Sequence, residues 1–106
     1  LRRSQSRAQT VVAAGRFSLD DATKRVGFDG QPIDVSPMEY RLLAYLASRK
    51  GQAVSAIELA THVQGRDDDA AKNAIEAMVT RLRKKTAAGS IQNRRGFGYL
   101  LADDEG

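Results

Sequence analysis

The stretch from Asp69 to Leu101 constrains this chain more than any other. Drawn at about 100° per residue, Ile75, Met78, Val79 and Leu82 fall on one face of a helix, and Asn73, Ala77, Thr80 and Lys84 on the opposite one. Such a helix has to bury its apolar stripe, and the upstream chain has to supply the elements that cover it. The helix pattern ends in Thr80-Arg81-Leu82-Arg83-Lys84-Lys85, and a glycine-punctuated run follows, Asn93-Arg94-Arg95-Gly96-Phe97-Gly98-Tyr99. That run reads as a hairpin: a strand from Ile91, a tip at Arg95-Gly96-Phe97-Gly98, and a return through Tyr99-Leu100-Leu101. Two glycines around Phe97 exceed the need of one tight turn and leave backbone free to approach a partner.

Charge is segregated onto the same stretch. The chain has 17 basic and 13 acidic residues, yet none of the acids lies between Glu76 and Asp103, where Arg81, Arg83, Lys84, Lys85, Arg94 and Arg95 all fall. A basic patch of this kind suits phosphate backbones or anionic lipid. Lipid is the weaker reading, because the helix spends its apolar stripe on a core and no other long apolar stripe is left for a bilayer. The helix dipole welcomes Lys84 and Lys85 at its C-terminal end, which explains those two lysines but neither Arg81 nor the arginines beyond Gly89.

At 106 residues the chain suffices for one domain with a single core. It has no cysteine, so no disulfide framework or thiolate metal site is expected, and a cytoplasmic location fits. No apolar run approaches membrane-spanning length, and no membrane partner is expected. The first residue is Leu1 rather than Met, as in a piece of a longer protein. Residues 1–10, polar and basic, read as a linker, and residues 11–106 as the domain.

Alternating segments at Val11 to Ala14, Arg16 to Leu19, Lys24 to Phe28 and Gln31 to Val35 predict a small antiparallel sheet. Asp29-Gly30 marks a two-residue hairpin, and Pro32 confines its strand to an edge or a strand start. Ser36-Pro37-Met38-Glu39 opens a first helix with a capping box and an N1 proline. Val35 and Tyr40 form its staple, Met38, Leu42, Leu43, Tyr45 and Leu46 its apolar stripe, and Gly51 its left-handed C-cap. Ser55-Ala56-Ile57-Glu58 repeats the box for a second helix ending near Gly65.

The charged loop before Asp69 supplies a carboxylate cap for the third helix and lacks the alternating ligands, central glycine and distal glutamate of a calcium loop. His62, the only histidine, has no second ligand at metal spacing and reads as an ordinary helical side chain. With no nucleophile beside a base and no phosphate-cradling loop, neither an enzyme nor a cofactor is expected.

Three helices with a short second turn followed by a basic hairpin predict an α+β winged helix-turn-helix, with the third helix in the DNA major groove and the hairpin reaching the minor groove or phosphates. The motifs Ser36-Pro37-Met38-Glu39-Tyr40, Val54-Ser55 with Glu58-Leu59, Asn73-Ala74-Ile75-Glu76, Arg81-Leu82-Arg83-Lys84-Lys85 and Arg95-Gly96-Phe97-Gly98-Tyr99 resemble, in combination, the C-terminal effector domain of OmpR/PhoB-family response regulators. The resemblance spans nearly all of residues 11 to 102.

It implies a four-stranded N-terminal sheet and a transcription regulator that binds direct-repeat promoter sites as a tandem pair. It also implies a preceding receiver domain phosphorylated by a sensor histidine kinase, and an isolated domain that is monomeric. Family recognition-helix contacts fall on Asn73, Ala77, Thr80, Arg81 and Lys84, and wing contacts on Asn93, Arg95 and Tyr99, with Arg94 beside them. Many relatives carry longer polar or basic side chains where this chain has Ala77, Met78 and Thr80. Arg81 is therefore the expected guanine reader, Ala77 and Thr80 offer methyl contacts to thymine, and Lys72, Arg83, Lys84 and Lys85 are cast on phosphates, Arg83 with an internal salt bridge as its alternative. The loop Gln64, Gly65, Arg66, Asp67 and Asp68 occupies the place of a family contact with RNA polymerase. The competing reading is a winged-helix protein-interaction module that touches the transcription machinery without reading DNA sequence.

Overall fold

The structure, a computed structural model, describes residues 11–49 and 51–102; the expected linker at 1–10 lies outside the described residues. Four short strands, β1 (Val11–Ala14), β2 (Phe17–Asp20), β3 (Arg25–Phe28) and β4 (Gln31–Ile33), form an antiparallel sheet in sequence order. Asp29 and Gly30 take φ of +54° and +82°, the double left-handed turn that an Asp-Gly hairpin requires. Pro32 sits on the edge strand β4, where its missing N–H breaks no inner ladder. Alternation buries Phe17, Leu19, Val26 and Phe28 on one face, and the paired rings of Phe17 and Phe28 tilt at 57° with centroids 4.9 Å apart.

Strand ends differ from expectation by a residue or two. Lys24 leaves the ladder because its φ is +60°, and Arg16 belongs to the turn, where its guanidinium clamps Asp29 at 2.8 and 2.5 Å and covers the Phe28 ring. Asp34 and Val35 leave β4 to deliver Ser36 to the first helix.

Helix α1 (Pro37–Ser48) carries the full capping box: the Glu39 amide donates to Ser36 Oγ at 3.1 Å, and the Ser36 amide donates to Glu39 Oε1 at 2.9 Å. It ends earlier than Gly51 suggested. Arg49 is the cap, its amide donating to the Tyr45 and Leu46 carbonyls, and Gly51 takes its φ of +83° in the turn beyond. Met38 points outward instead of joining the apolar stripe.

Helix α2 (Ala56–Gln64) keeps half of its expected box. Ser55 Oγ accepts from the Glu58 amide at 3.0 Å, but the Glu58 carboxylate turns to α1, accepting from Tyr45 Oη and from Arg49 Nη2 at 2.8 Å. A tertiary ion pair displaces the local bond. Gly65 closes α2 in the left-handed conformation.

Helix α3 (Asp69–Lys85) starts at Asp68, whose Oδ1 accepts from the Ala71 amide at 2.8 Å. Its stripe of Ile75, Met78, Val79 and Leu82 is buried with Leu42, Leu43 and Leu59 in one core. Each fully buried side chain of this kind contributes about 1.5–3 kcal/mol, so the orientation of α3 is strongly set. The hairpin of β5 (Ile91–Arg94) and β6 (Gly98–Leu101) follows. Tyr99 and Val54 exchange both backbone hydrogen bonds at 2.8 Å, stitching the hairpin to the segment before α2. The result is the expected α+β winged helix-turn-helix, with a four-stranded sheet, three helices and a two-stranded wing.

Candidate nucleic-acid interface

Burying one stripe of α3 turns Lys72, Asn73, Ala77, Thr80, Arg81 and Lys84 outward, and all six are exposed. Thr80 Oγ1 donates to the Glu76 carbonyl at 3.1 Å, so its hydroxyl is engaged by its own helix. Lys72, Asn73 and Lys84 make no side-chain hydrogen bond or ion pair among the described residues. Around the helix these residues divide by angle. Asn73, Ala77, Thr80 and Lys84 form the centre, Lys72 and Glu76 one flank, and Arg81 with Lys85 the other.

Two of the cations expected on phosphates have their donors engaged inside the chain. Arg83 donates through Nε and Nη2 to the Ile91 carbonyl at 2.9 and 2.6 Å, tying α3 to the first wing strand. The acceptor is a backbone carbonyl, so the bond is not the internal salt bridge expected as the alternative. Lys85 Nζ donates to the Asp34 carbonyl at 2.7 Å and to Glu39 Oε1 at 2.8 Å. Arg81 is partly engaged: its Nε donates to Glu39 Oε2 at 3.5 Å while its side chain stays 57% exposed.

Glu39 is thus a buried carboxylate, 2% exposed, that joins the start of α1 to the end of α3. Burial alone would raise its pKa, but hydrogen bonds from Lys85, the Ser36 amide and Arg81 outweigh burial and hold it below the ordinary carboxylate value. Sequence reasoning gave Glu39 only a capping role. Its link to α3 had no local signal, since Lys85 lies 46 residues away.

In the wing, Asn93, Arg94, Arg95 and Phe97 are exposed, and Phe97, at 68%, is the most exposed large apolar side chain among the described residues. The tip is Arg95-Gly96-Phe97, with Gly98 already in β6. Tyr99, expected as a wing contact, is 8% exposed. Buried and bridged through its backbone to Val54, it supports the wing from beneath, and burial and the nearby Glu76 carboxylate push its phenol up against the opposing charge of Arg83. A shallow cleft lined by Lys72, Glu76, Asn93 and Phe97 separates α3 from the wing.

Residues 30–101 match the family described as transcriptional regulatory protein, C terminal. The chain belongs to this family. It is an OmpR/PhoB-type effector domain. It is 37% identical over 98 residues to the response regulator protein PmrA of Pseudomonas aeruginosa, covering 92% of this chain and 44% of PmrA. It is 35% identical to the two-component response regulator PhoP of the same organism, over 97% of this chain and 48% of PhoP. The chain therefore spans less than half the length of these relatives. Among solved structures, the DNA-binding domain of CpxR from Escherichia coli superposes with a TM-score of 0.76 at 27% identity, covering 89% of this chain and 97% of that one. The Klebsiella pneumoniae RstA DNA-binding domain in complex with the RstA box shares the fold, with a TM-score of 0.74 at 24% identity over 87% of this chain and 96% of that one.

In this effector domain the α2–α3 loop is partly self-paired. Gly65, Arg66, Asp67 and Asp68 are exposed, Arg66 pairs with Asp68 at 2.6 Å, and Gln64 Nε2 donates to the Ala71 carbonyl at 3.4 Å. The Ala71 amide and then Arg66 hold the Asp68 carboxyl below its usual value, as expected of a helix cap. His62 stacks on Tyr45 with centroids 4.1 Å apart. Among the described residues, no group of His, Cys, Asp or Glu is placed to hold a metal, and no helix is long and apolar enough to cross a membrane.

Proposed function

We propose that this effector domain binds double-stranded promoter DNA sequence-specifically, with α3 in the major groove and the wing tip on the minor groove or phosphates. The observation that carries this reading is one exposed surface. It holds Lys72, Asn73, Thr80, Arg81 and Lys84 on α3 and Arg94 and Arg95 on the wing, with Glu76 the only acidic residue from Ala70 to Ala102. Arg81 reads a base edge, Ala77 and Thr80 offer methyl contacts, and Lys72, Lys84, Arg94 and Arg95 neutralise phosphates. Family membership and the likeness to the CpxR DNA-binding domain support the reading.

In the whole protein, a receiver phosphorylated by a sensor histidine kinase would bring two such domains onto direct repeats in the cytoplasm, with the exposed loop at Arg66 to Asp68 free for RNA polymerase. Selection of bound sites from random duplexes tests the DNA reading, followed by titration against heterologous competitor at rising salt. A recurrent site and an affinity that falls steeply with salt are expected. Binding without sequence preference and without salt dependence would sink it.

A further inference from the structure

Long exposed arginines beside DNA face a choice between the nearest phosphate, which carries no sequence information, and a base edge, which does. Arg81 lies on the α1 flank of the recognition helix, turned aside from the central line of Asn73, Ala77, Thr80 and Lys84. Nothing on its own helix holds it there. Glu39 does: Oε1 is occupied by the Ser36 amide at 2.9 Å and Lys85 Nζ at 2.8 Å, and Oε2 faces Arg81 Nε at 3.5 Å. Glu39 is itself fixed, being buried at the first turn of α1 and restrained by its capping box. A rigid carboxylate that takes Nε leaves the two terminal nitrogens of the guanidinium free, the fork that pairs with guanine O6 and N7.

We infer that Glu39 is a positioning residue for base reading: it holds Arg81 by Nε, biases the guanidinium toward a base edge and away from phosphates, and so sets sequence discrimination without touching DNA. The inference rests on the DNA-binding reading above. It also makes Glu39 more than a cap and salt-bridge partner, because either of those roles would alter stability without singling out one base pair. Ordering the side chain before DNA arrives lowers the entropy lost on binding, and a negative charge behind Arg81 discourages a swing to phosphate.

The experiment compares the unmodified chain, Arg81→Ala and Glu39→Gln on the selected duplex, on its single-base variants and on heterologous duplex, with folding checked by circular dichroism. Gln retains an acceptor for the Ser36 amide but removes the charge. Glu39→Gln should lose about tenfold in preference at the base pair where Arg81→Ala loses it. It should bind heterologous duplex at least as tightly as the unmodified chain, and the double variant should show no further loss at that base pair. If Glu39→Gln does not fold, Glu39→Asp retracts the carboxylate by one methylene and should produce the same local loss. Preference unchanged at every base pair in the folded variant, or a loss spread evenly over specific and heterologous duplex, would overturn the inference. An unmodified chain without any preferred site would instead overturn the DNA reading, and this inference with it.

Discussion

Gly98 lies so close to Val54 that a Cβ built on it would stand 2.1 Å from the Val54 carbonyl oxygen. The contact is backbone against backbone, and the Val54–Tyr99 bridge next to it leaves neither side room to yield. Gly98 also holds φ at +131°, which L side chains rarely adopt. The second glycine of the wing thus approaches its own chain, where the sequence suggested a backbone open to an outside partner. Gly98→Ala should destabilise the domain by at least about 2 kcal/mol. Chemical denaturation measures this, and an unchanged midpoint would contradict the packing. Gly96, with no atom within 4 Å of a built Cβ, should cost less on the same substitution through its φ of +84° alone.

Stability should fall on the acid side because of Glu39. Its folded pKa is depressed below the ordinary 4.5, so its contribution is fully present above the unfolded value and is lost as pH drops through the folded one. Glu39→Gln should flatten the stability curve in that window and cost about 1–3 kcal/mol at neutral pH. Denaturant midpoints collected from neutral to acid pH read both effects; parallel curves for the two proteins would refute the assignment.

Arg83 and Lys84 are neighbours with separate tasks. Arg83 spends its donors on Ile91, so Arg83→Ala should cost about 1–3 kcal/mol of stability through the lost charge-assisted hydrogen bonds. Lys84 has no side-chain partner among the described residues, so Lys84→Ala should leave stability nearly unchanged and reduce the salt slope of DNA binding by about 0.9. Thermal melts and salt titrations together separate the two, and a reversed pattern would show that the assignment is wrong.

Arg81 and Arg95 should differ in kind. Arg81→Ala is expected to cost about 1–3 kcal/mol of discrimination at one base pair. Arg95→Ala should weaken binding to every duplex several-fold while leaving the preferred sequence intact. Site selection repeated with each variant decides, and a shifted consensus for Arg95→Ala would move the wing from phosphate contact to base reading.

Much of the fold was legible because its signals are local. Ser36 with Glu39, Asp29 with Gly30, Ser55 and Gly65 each act within a few residues, and the periodicity of Ile75, Met78, Val79 and Leu82 names the buried face of α3 whatever covers it. The exposed half of the candidate site follows from the same periodicity, since a helix that buries one stripe must present the other. That much the amino-acid order determined by itself.

The destinations of long side chains belong to tertiary structure. Arg83, Lys85 and Glu58 each carry a charge on a flexible stem that can reach several acceptors, and the choice among them depends on which distant backbone comes near. Lys85 finds Glu39 and Asp34, Arg83 finds a wing carbonyl, and Glu58 abandons its own cap for Arg49. Tyr99 is drawn inward by a bridge to Val54 that no local pattern announces. Sequence order therefore determined the helices, the turns and the basic helix beside its wing. Only the packed fold decided which of those cations face outward, because a charged side chain goes to the nearest acceptor in space, and nearness in space is a property of the whole chain.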